Sequence, residues 1–209
     1  YSLQTGLWGE LNLGASYRLN QGDGSDFSKK REESGALFAT QVLRRTDSPW
    51  SLALGLRANA YSAFDSGLNP EVKIEYQQPV WSFSLGYNRA DNTPSLKQRY
   101  AHTSSTLPNP DLGMETASNW LAALTLKPTG TLSLRASVFD NQITDRITYL
   151  TDAQGMGQYV NYGEVSYRGG DLALSWQPAS VLTAKASYAY LDATAAASGV
   201  ASKAVTDAY

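Results

Sequence analysis

Alternation of apolar and polar residues, sustained over limbs far longer than a soluble strand, is the feature that most constrains this chain. It is clearest between Thr131 and Gln177. In the first limb Leu132, Leu134, Ala136 and Val138 are apolar, and Ser133, Arg135 and Ser137 between them are polar. The return limb ends the same way, with Leu172, Leu174 and Trp176 alternating with Asp171, Ser175 and Gln177. Period two marks a strand with one apolar and one polar face. Strands of soluble sheets run to about 5–6 residues; this texture persists for roughly twenty on each side of a loop at 152–157, a length suited to crossing a membrane. Short turns flank the pair at KPTG (127–130) and QPAS (177–180). Long hairpins with short turns at one end and longer loops at the other predict an antiparallel transmembrane β-barrel.

The rest of the chain repeats the pattern. The alternation predicts about ten strands in all. Those before the central pair cover about 7–19, 35–45, 50–64, 71–77, 81–90 and 116–127. After it come 181–191 and a stub at 203–209. Apolar faces are legible in Leu11, Leu13, Ala15, Tyr17 and Leu19; in Trp50, Leu52, Leu54 and Leu56; in Val72, Ile74 and Tyr76; in Trp81, Phe83, Leu85 and Tyr87; and in Leu182, Ala184, Ala186, Tyr188 and Tyr190. The 35–45 strand alternates too poorly for its faces to be assigned. Two further short turns, at 46–49 and 77–80, alternate with polar loops at 20–34, 65–70 and 91–113. Trp50, Trp81 and Trp176 each lie within two residues of a short turn, so they are expected to mark one membrane–water interface.

Composition agrees with a membrane barrel. Hydrophobic residues make up 42%, yet no run approaches the ~18 residues of a membrane helix. Charged residues are only 17%, below the ~25% of a typical soluble domain. The 13 Tyr and 5 Trp suit aromatic girdles. A net charge of −2 gives no strong pull on nucleic acid, and no such partner is expected. With 0 Cys there is neither a disulfide framework nor a thiolate metal site. The chain opens at Tyr1 without Met or a basic-then-apolar leader, so a signal peptide is expected to be absent or already removed.

Several short motifs occur in order: TPSLKQRY (93–100), NPDL (109–112), VFDNQITDRITY (138–149), VNYGEVSYRGGDLAL (160–174) and ASYAYLDA (186–193). In order and spacing they resemble the barrel of TonB-dependent outer-membrane receptors, over roughly residues 50–193. Two places depart from that family's pattern: Gly113-Met114-Glu115, where Lys/Arg-Pro-Glu is usual, and Gly170-Asp171, where an aliphatic residue and Glu are common. The resemblance implies a receptor in the outer membrane of a Gram-negative bacterium, surrounded by lipid. It implies uptake of a scarce small-molecule ligand such as a ferric siderophore, haem or cobalamin. The work would be driven by a TonB-type energy-transducing protein acting through a plug domain. Receptors of this kind have about 22 strands and a plugged lumen. Residues 1–209 are therefore expected to be part of such a barrel, without the plug. Cut from it, they would leave two unpaired edges and would transport nothing alone.

Ligand contacts are expected from the long 91–113 segment, because long loops on a rigid scaffold commonly carry binding. The candidate residues are Arg99, for an anionic chelate, with Tyr100 and His102 as stacking partners. His102 is the only histidine and has no Asp or Glu within several residues, so no catalytic arrangement is expected. No metal-ligand spacing or resident cofactor is indicated. The charge run Lys29–Glu33 and the Asp23–Asp26 stretch read as solvated loop tips. Two alternatives stay open: a complete ten-stranded barrel with protease-like activity, and a soluble β-sandwich binding module.

Overall fold

The computed structural model describes residues 2–4, 9–45, 47–196 and 203–204. It is dominated by one 11-stranded sheet, antiparallel throughout. Its strands, in spatial order, are β1 (Ser2–Gln4), β2 (Glu10–Gly22), β3 (Lys30–Arg44), β4 (Trp50–Tyr61), β5 (Gly67–Gln77), β6 (Trp81–Asn92), β8 (Glu115–Thr129), β9 (Leu132–Thr144), β12 (Glu164–Ala179), β13 (Leu182–Ala196) and β14 (Lys203–Ala204). A second sheet of three short strands, β7 (Thr106–Leu107), β10 (Ile147–Thr151) and β11 (Gly157–Asn161), and the single helix α1 (Leu96–Tyr100) lie in the longer connections. A sandwich would need two large sheets face to face; here one large sheet has both faces open.

Register makes the two faces continuous. Directly opposed residues point the same way in an antiparallel pair. One row across eight strands runs Leu43, Leu52, Ile74, Leu85, Ala122, Val138, Gly170, Tyr190. The adjacent row runs Arg44, Ser51, Glu75, Ser84, Ala123, Ser137, Asp171, Ala189. A one-residue slip would exchange the faces; in these ladders shifts occur only beside two short turns, between Leu126 and Thr129 and between Trp176 and Ala179. Pairing with β4 also assigns β3, whose own alternation is blurred. Leu37, Ala39 and Leu43 join the apolar face with one polar interruption at Gln41, while Ala36 and Phe38 turn to the polar one.

The sheet has almost no interior. Among the described residues the buried apolar side chains are only Ala36, Ala101, Leu112 and Val165, whereas Leu37 is 69% exposed and Val138 61%. An apolar surface so extensive needs an apolar solvent. The polar face is linked within itself. Lys73 and Ser51 reach Glu75 at 2.8 and 3.3 Å, Ser137 donates to Asp171, and Arg57 donates to Asn59 at 2.8 Å and Ser16 at 3.0 Å.

The apolar face is bounded at both ends. At the short-turn end Trp50, Tyr76 and Trp81 form a contact chain with centroid distances of 4.6 and 4.8 Å. At the other end Tyr87 meets Trp120 at 4.6 Å. Trp120 lies in a row with Asp140, Arg168 and Asp192, and Arg168 is ion-paired to Asp140 at 2.9 Å. Beyond that row come Ser118, Gln142, Ser166 and Thr194. Trp81 and Tyr87 are six residues apart, about 20 Å along a strand.

Connections at 45–49, 78–80, 130–131 and 180–181, all of five residues or fewer, lie at one end; those at 23–29, 62–66, 93–114 and 145–163 lie at the other, and of these only 62–66 is as short. Three expectations are corrected. The 20–34 loop is shorter, because β2 and β3 continue to pair up to Gly22 opposite Lys30. Lys30–Glu33 are therefore strand residues and not a solvated tip, and Glu32 is buried. The long central hairpin is not continuous. Asp145 adopts φ 56° and Gly163 φ 90°, at the points where β9 and β12 end, and β10–β11 leaves the main sheet there. A left-handed φ at 163 suits glycine. The strand expected over 181–191 runs on to Ala196, while 197–202 and, of the expected stub, 205–209 lie outside the described residues.

Candidate functional site

The long connections meet over one end of the sheet, and the 93–114 segment lies at the centre of the meeting. It is not the unstructured loop its composition suggests. Ser95 and Gln98 form a capping box: the Ser95 side chain accepts from the Gln98 backbone N–H, and the Gln98 side chain accepts from that of Ser95. This reciprocal arrangement satisfies donors at a helix start, so α1 begins immediately after the Pro94-Ser95 step. Its Leu96 and the loop residue Phe27 both lie against Gly22, each within 3.3 Å of where a Cβ there would be.

Arg99 comes off the last turn of α1 and is buried. Its Nη1 donates to Glu32 of β3. Its Nε and Nη2 both donate to the Pro110 carbonyl, at 3.2 and 2.7 Å. The guanidinium lies 4.7 Å from the Phe64 ring centroid and 5.0 Å from that of Tyr100. Burial of a guanidinium is tolerated because its fork is matched on several sides. Tyr100 also has the Lys30 ammonium 4.7 Å from its centroid, giving an alternating series of Lys30, Tyr100, Arg99 and Phe64. Tyr100 is half-buried, and His102 is exposed with its backbone N–H donating to the Asp26 carbonyl at 2.8 Å. The structure thus brings Arg99 and Tyr100 into one cluster and leaves the His102 ring at the surface. No group of three or more acidic, His or Cys residues among the described residues is arranged to hold a metal.

The second half of the segment docks on the β10–β11 hairpin. β7 adds to β11 in parallel. Asn109 donates to the Tyr159 carbonyl at 2.8 Å, Gln158 to the Pro108 carbonyl at 2.9 Å, and Tyr149 to the Ser105 carbonyl at 3.1 Å. Asn161 accepts from the Gly113 N–H at 2.8 Å and donates to the Asp145 carbonyl at 2.8 Å. Leu112 is 2% exposed. Glu115 is buried and accepts from Asn92 and from the Ile147 N–H, both at 2.7 Å. Several residues of the quoted motifs therefore fix the loops to one another: Ser95, Arg99, Asn109, Leu112 and Asn161, with Glu115 just beyond. Of these, only the Ser-x-x-Gln capping box carries a local sequence signal. Glu32, 67 residues from Arg99, carries none.

Below the loops, the polar face holds a cleft of about 450 Å³ lined by Arg57, Asn59, Tyr61, Asn69, Asn88 and Asp91, among others. It opens where the β5–β6 ladder stops at Glu71 and Asn88, although both strands continue.

The family model described as "TonB dependent receptor-like, beta-barrel" matches residues 1–207. Among solved structures, the siderophore receptor PirA from Pseudomonas aeruginosa is similar with a TM-score of 0.82 and 20% identity, over 92% of this chain and 40% of that one. The FrpB iron transporter from Neisseria meningitidis (F3-3 variant) gives 0.73 and 19%, over 92% and 34%. The copper transporter OprC gives 0.71 and 15%, over 88% and 34%. The chain thus spans 34–40% of the length of these three structures. Comparison with curated proteins returns no match. With the family model covering nearly every residue, the chain belongs to the TonB-dependent receptor β-barrel family.

Proposed function

We propose that these residues form part of the barrel of an outer-membrane transporter that takes up a scarce metal chelate or cofactor, such as a ferric siderophore, haem or cobalamin. The observation that carries this reading is the division of the sheet into an apolar and a polar face, held in register across eight strands. The apolar face meets lipid between its two aromatic borders. The polar face lines a lumen. A larger barrel of about 22 strands accommodates the open sheet, and a TonB-type protein supplies energy through a plug domain that this sheet does not include. The similar structures, a siderophore receptor and iron and copper transporters, support a metal-bearing ligand.

Ligand contact is proposed at the 93–114 segment. The Tyr100 ring and the exposed His102 are its available groups, and Arg99 holds them in place. The test is growth of the native bacterium under iron or cobalamin restriction, with single ferric siderophores, haem or cobalamin as the only source. Deleting the gene should abolish use of one of these, and removing the TonB-type protein should abolish the same one. Uptake of the whole panel after deletion, or uptake that persists without the energy-transducing protein, contradicts the proposal.

A further inference from the structure

The long connections form two assemblies with different anchors. One comprises α1, the 23–29 loop, the first residues of β3 (Lys30–Glu33) and the 62–66 loop, joined by the His102 N–H to the Asp26 carbonyl, by Lys30 over Tyr100, and by the Ser62 N–H to the Glu33 carbonyl at 2.9 Å. The other comprises 103–114 and the β10–β11 hairpin, joined by the β7–β11 pairing and by Asn109, Gln158 and Asn161. A single buried guanidinium touches both. Arg99 faces Glu32 and Phe64 of the first assembly with Nη1 and its ring-stacking plane, and it closes a two-pronged bond on the Pro110 carbonyl of the second with Nε and Nη2. The Asn109 N–H also donates to the Arg99 carbonyl at 2.8 Å, so backbone and side chain of one residue span the same junction.

From the junction of Glu32, Phe64 and Pro110 on one guanidinium, we infer that Arg99 is the mechanical joint through which the two loop assemblies open and close together. Charged, forked hydrogen bonds in a dry site have a narrow geometric range. Displacement of Pro110 therefore moves the guanidinium, and with it Glu32 and Phe64. Coupling between sites requires an element that both sites bias. Arg99 is a positioning residue in this role, and the inference holds whether or not the 93–114 segment touches a ligand.

The test is a double-mutant cycle read by hydrogen exchange on the complete receptor in detergent, with no ligand present. Asn161→Ala loosens the second assembly by removing its bonds to Gly113 and Asp145. With Arg99 intact, that change should speed exchange in peptides covering 23–32 and 60–66 by about fivefold or more, the low end of ordinary coupling. In an Arg99→Met background the same change should have less than half that effect on those peptides. Should Arg99→Met not assemble, Glu32→Gln takes its place, because it keeps the bond to Pro110 and removes the charge pair. No change at 23–32 and 60–66 with Arg99 intact, or an equal change in both backgrounds, overturns the inference.

Discussion

Phe139 and Gly169 face each other across β9 and β12, and the Phe139 ring lies where a side chain at 169 would begin. A Cβ at 169 would sit 2.8 Å from Phe139 Cζ and 2.2 Å from the Tyr190 carbonyl oxygen. The ring can swing away; the carbonyl belongs to the neighbouring strand and cannot. This contact explains the glycine in the Tyr-Arg-Gly motif by close backbone approach.

Gly169→Ala is accordingly expected to destabilise the assembled barrel by about 1–3 kcal/mol, the ordinary cost of overpacking. Gly130→Ala is the matched control, since a Cβ there would meet nothing within 4 Å. Urea unfolding of the two variants in the same detergent separates them; equal midpoints would remove the contact as a determinant.

Glu115 governs the point where the hairpin leaves the sheet. Its carboxylate receives the Ile147 N–H and the Asn92 amide, and Arg146 lies 3.7 Å away. Glu115→Ala leaves the half-buried Ile147 N–H without its charged acceptor, at about 1–3 kcal/mol. Exchange of the Ile147 amide should rise by a corresponding factor, while Glu115→Gln, which keeps one oxygen, should raise it less. Unchanged protection at Ile147 in Glu115→Ala would show that the N–H finds another partner.

The proposed contact residues separate by role. Tyr100→Ala and His102→Ala should each weaken ligand binding to the complete receptor by roughly 0.5–2 kcal/mol, the range of cation–π contacts, with the barrel's unfolding midpoint unchanged in His102→Ala and lowered in Tyr100→Ala, which also loses the Lys30 and Arg99 contacts. Arg99→Lys should instead loosen the segment, because one ammonium cannot reproduce a fork that holds Glu32 and Pro110 together. Titration by calorimetry, once the imported ligand is known, decides it: full affinity in both alanine variants removes the 93–114 segment from the binding site.

How legible all this was depends on the range of the interactions. The faces of β4, β5, β6 and β9 follow from their own residues, because Leu52, Leu54 and Leu56, or Leu132, Leu134 and Ala136, alternate without interruption. β3 does not show its faces, since Ala36 and Phe38 sit on the polar side and Gln41 on the apolar one. Only the pairing of Leu43 with Leu52 and Leu37 with Ala58 assigns it. The order of motifs pointed to the family, but not to what the motif residues do. Arg99 reads as an exposed cation suited to an anionic ligand. Its position is set instead by Glu32, in a run whose charges suggest solvent, and by a carbonyl 11 residues downstream. The break at Asp145 and Gly163 was hidden because polar–apolar texture continues on both sides of it. A local pattern reports strand periodicity; it does not report where a hairpin leaves its sheet.

The measurement that bears most directly on the two-faced sheet compares two residues of β9. Val138 lies in the apolar row with Ala122 and Gly170, between the Trp81 and Tyr87 borders, while Arg135 lies in the polar row with Thr125 and Ala173. A cation placed against lipid near mid-bilayer costs about 2–4 kcal/mol, whereas a lumen-facing position tolerates the change. In a folding assay of the complete barrel into bilayers, Val138→Arg should lower the assembled fraction sharply and Arg135→Leu should leave it near that of the native protein. Equal assembly of the two variants, or a greater loss for Arg135→Leu, would contradict the assignment of lipid and lumen faces.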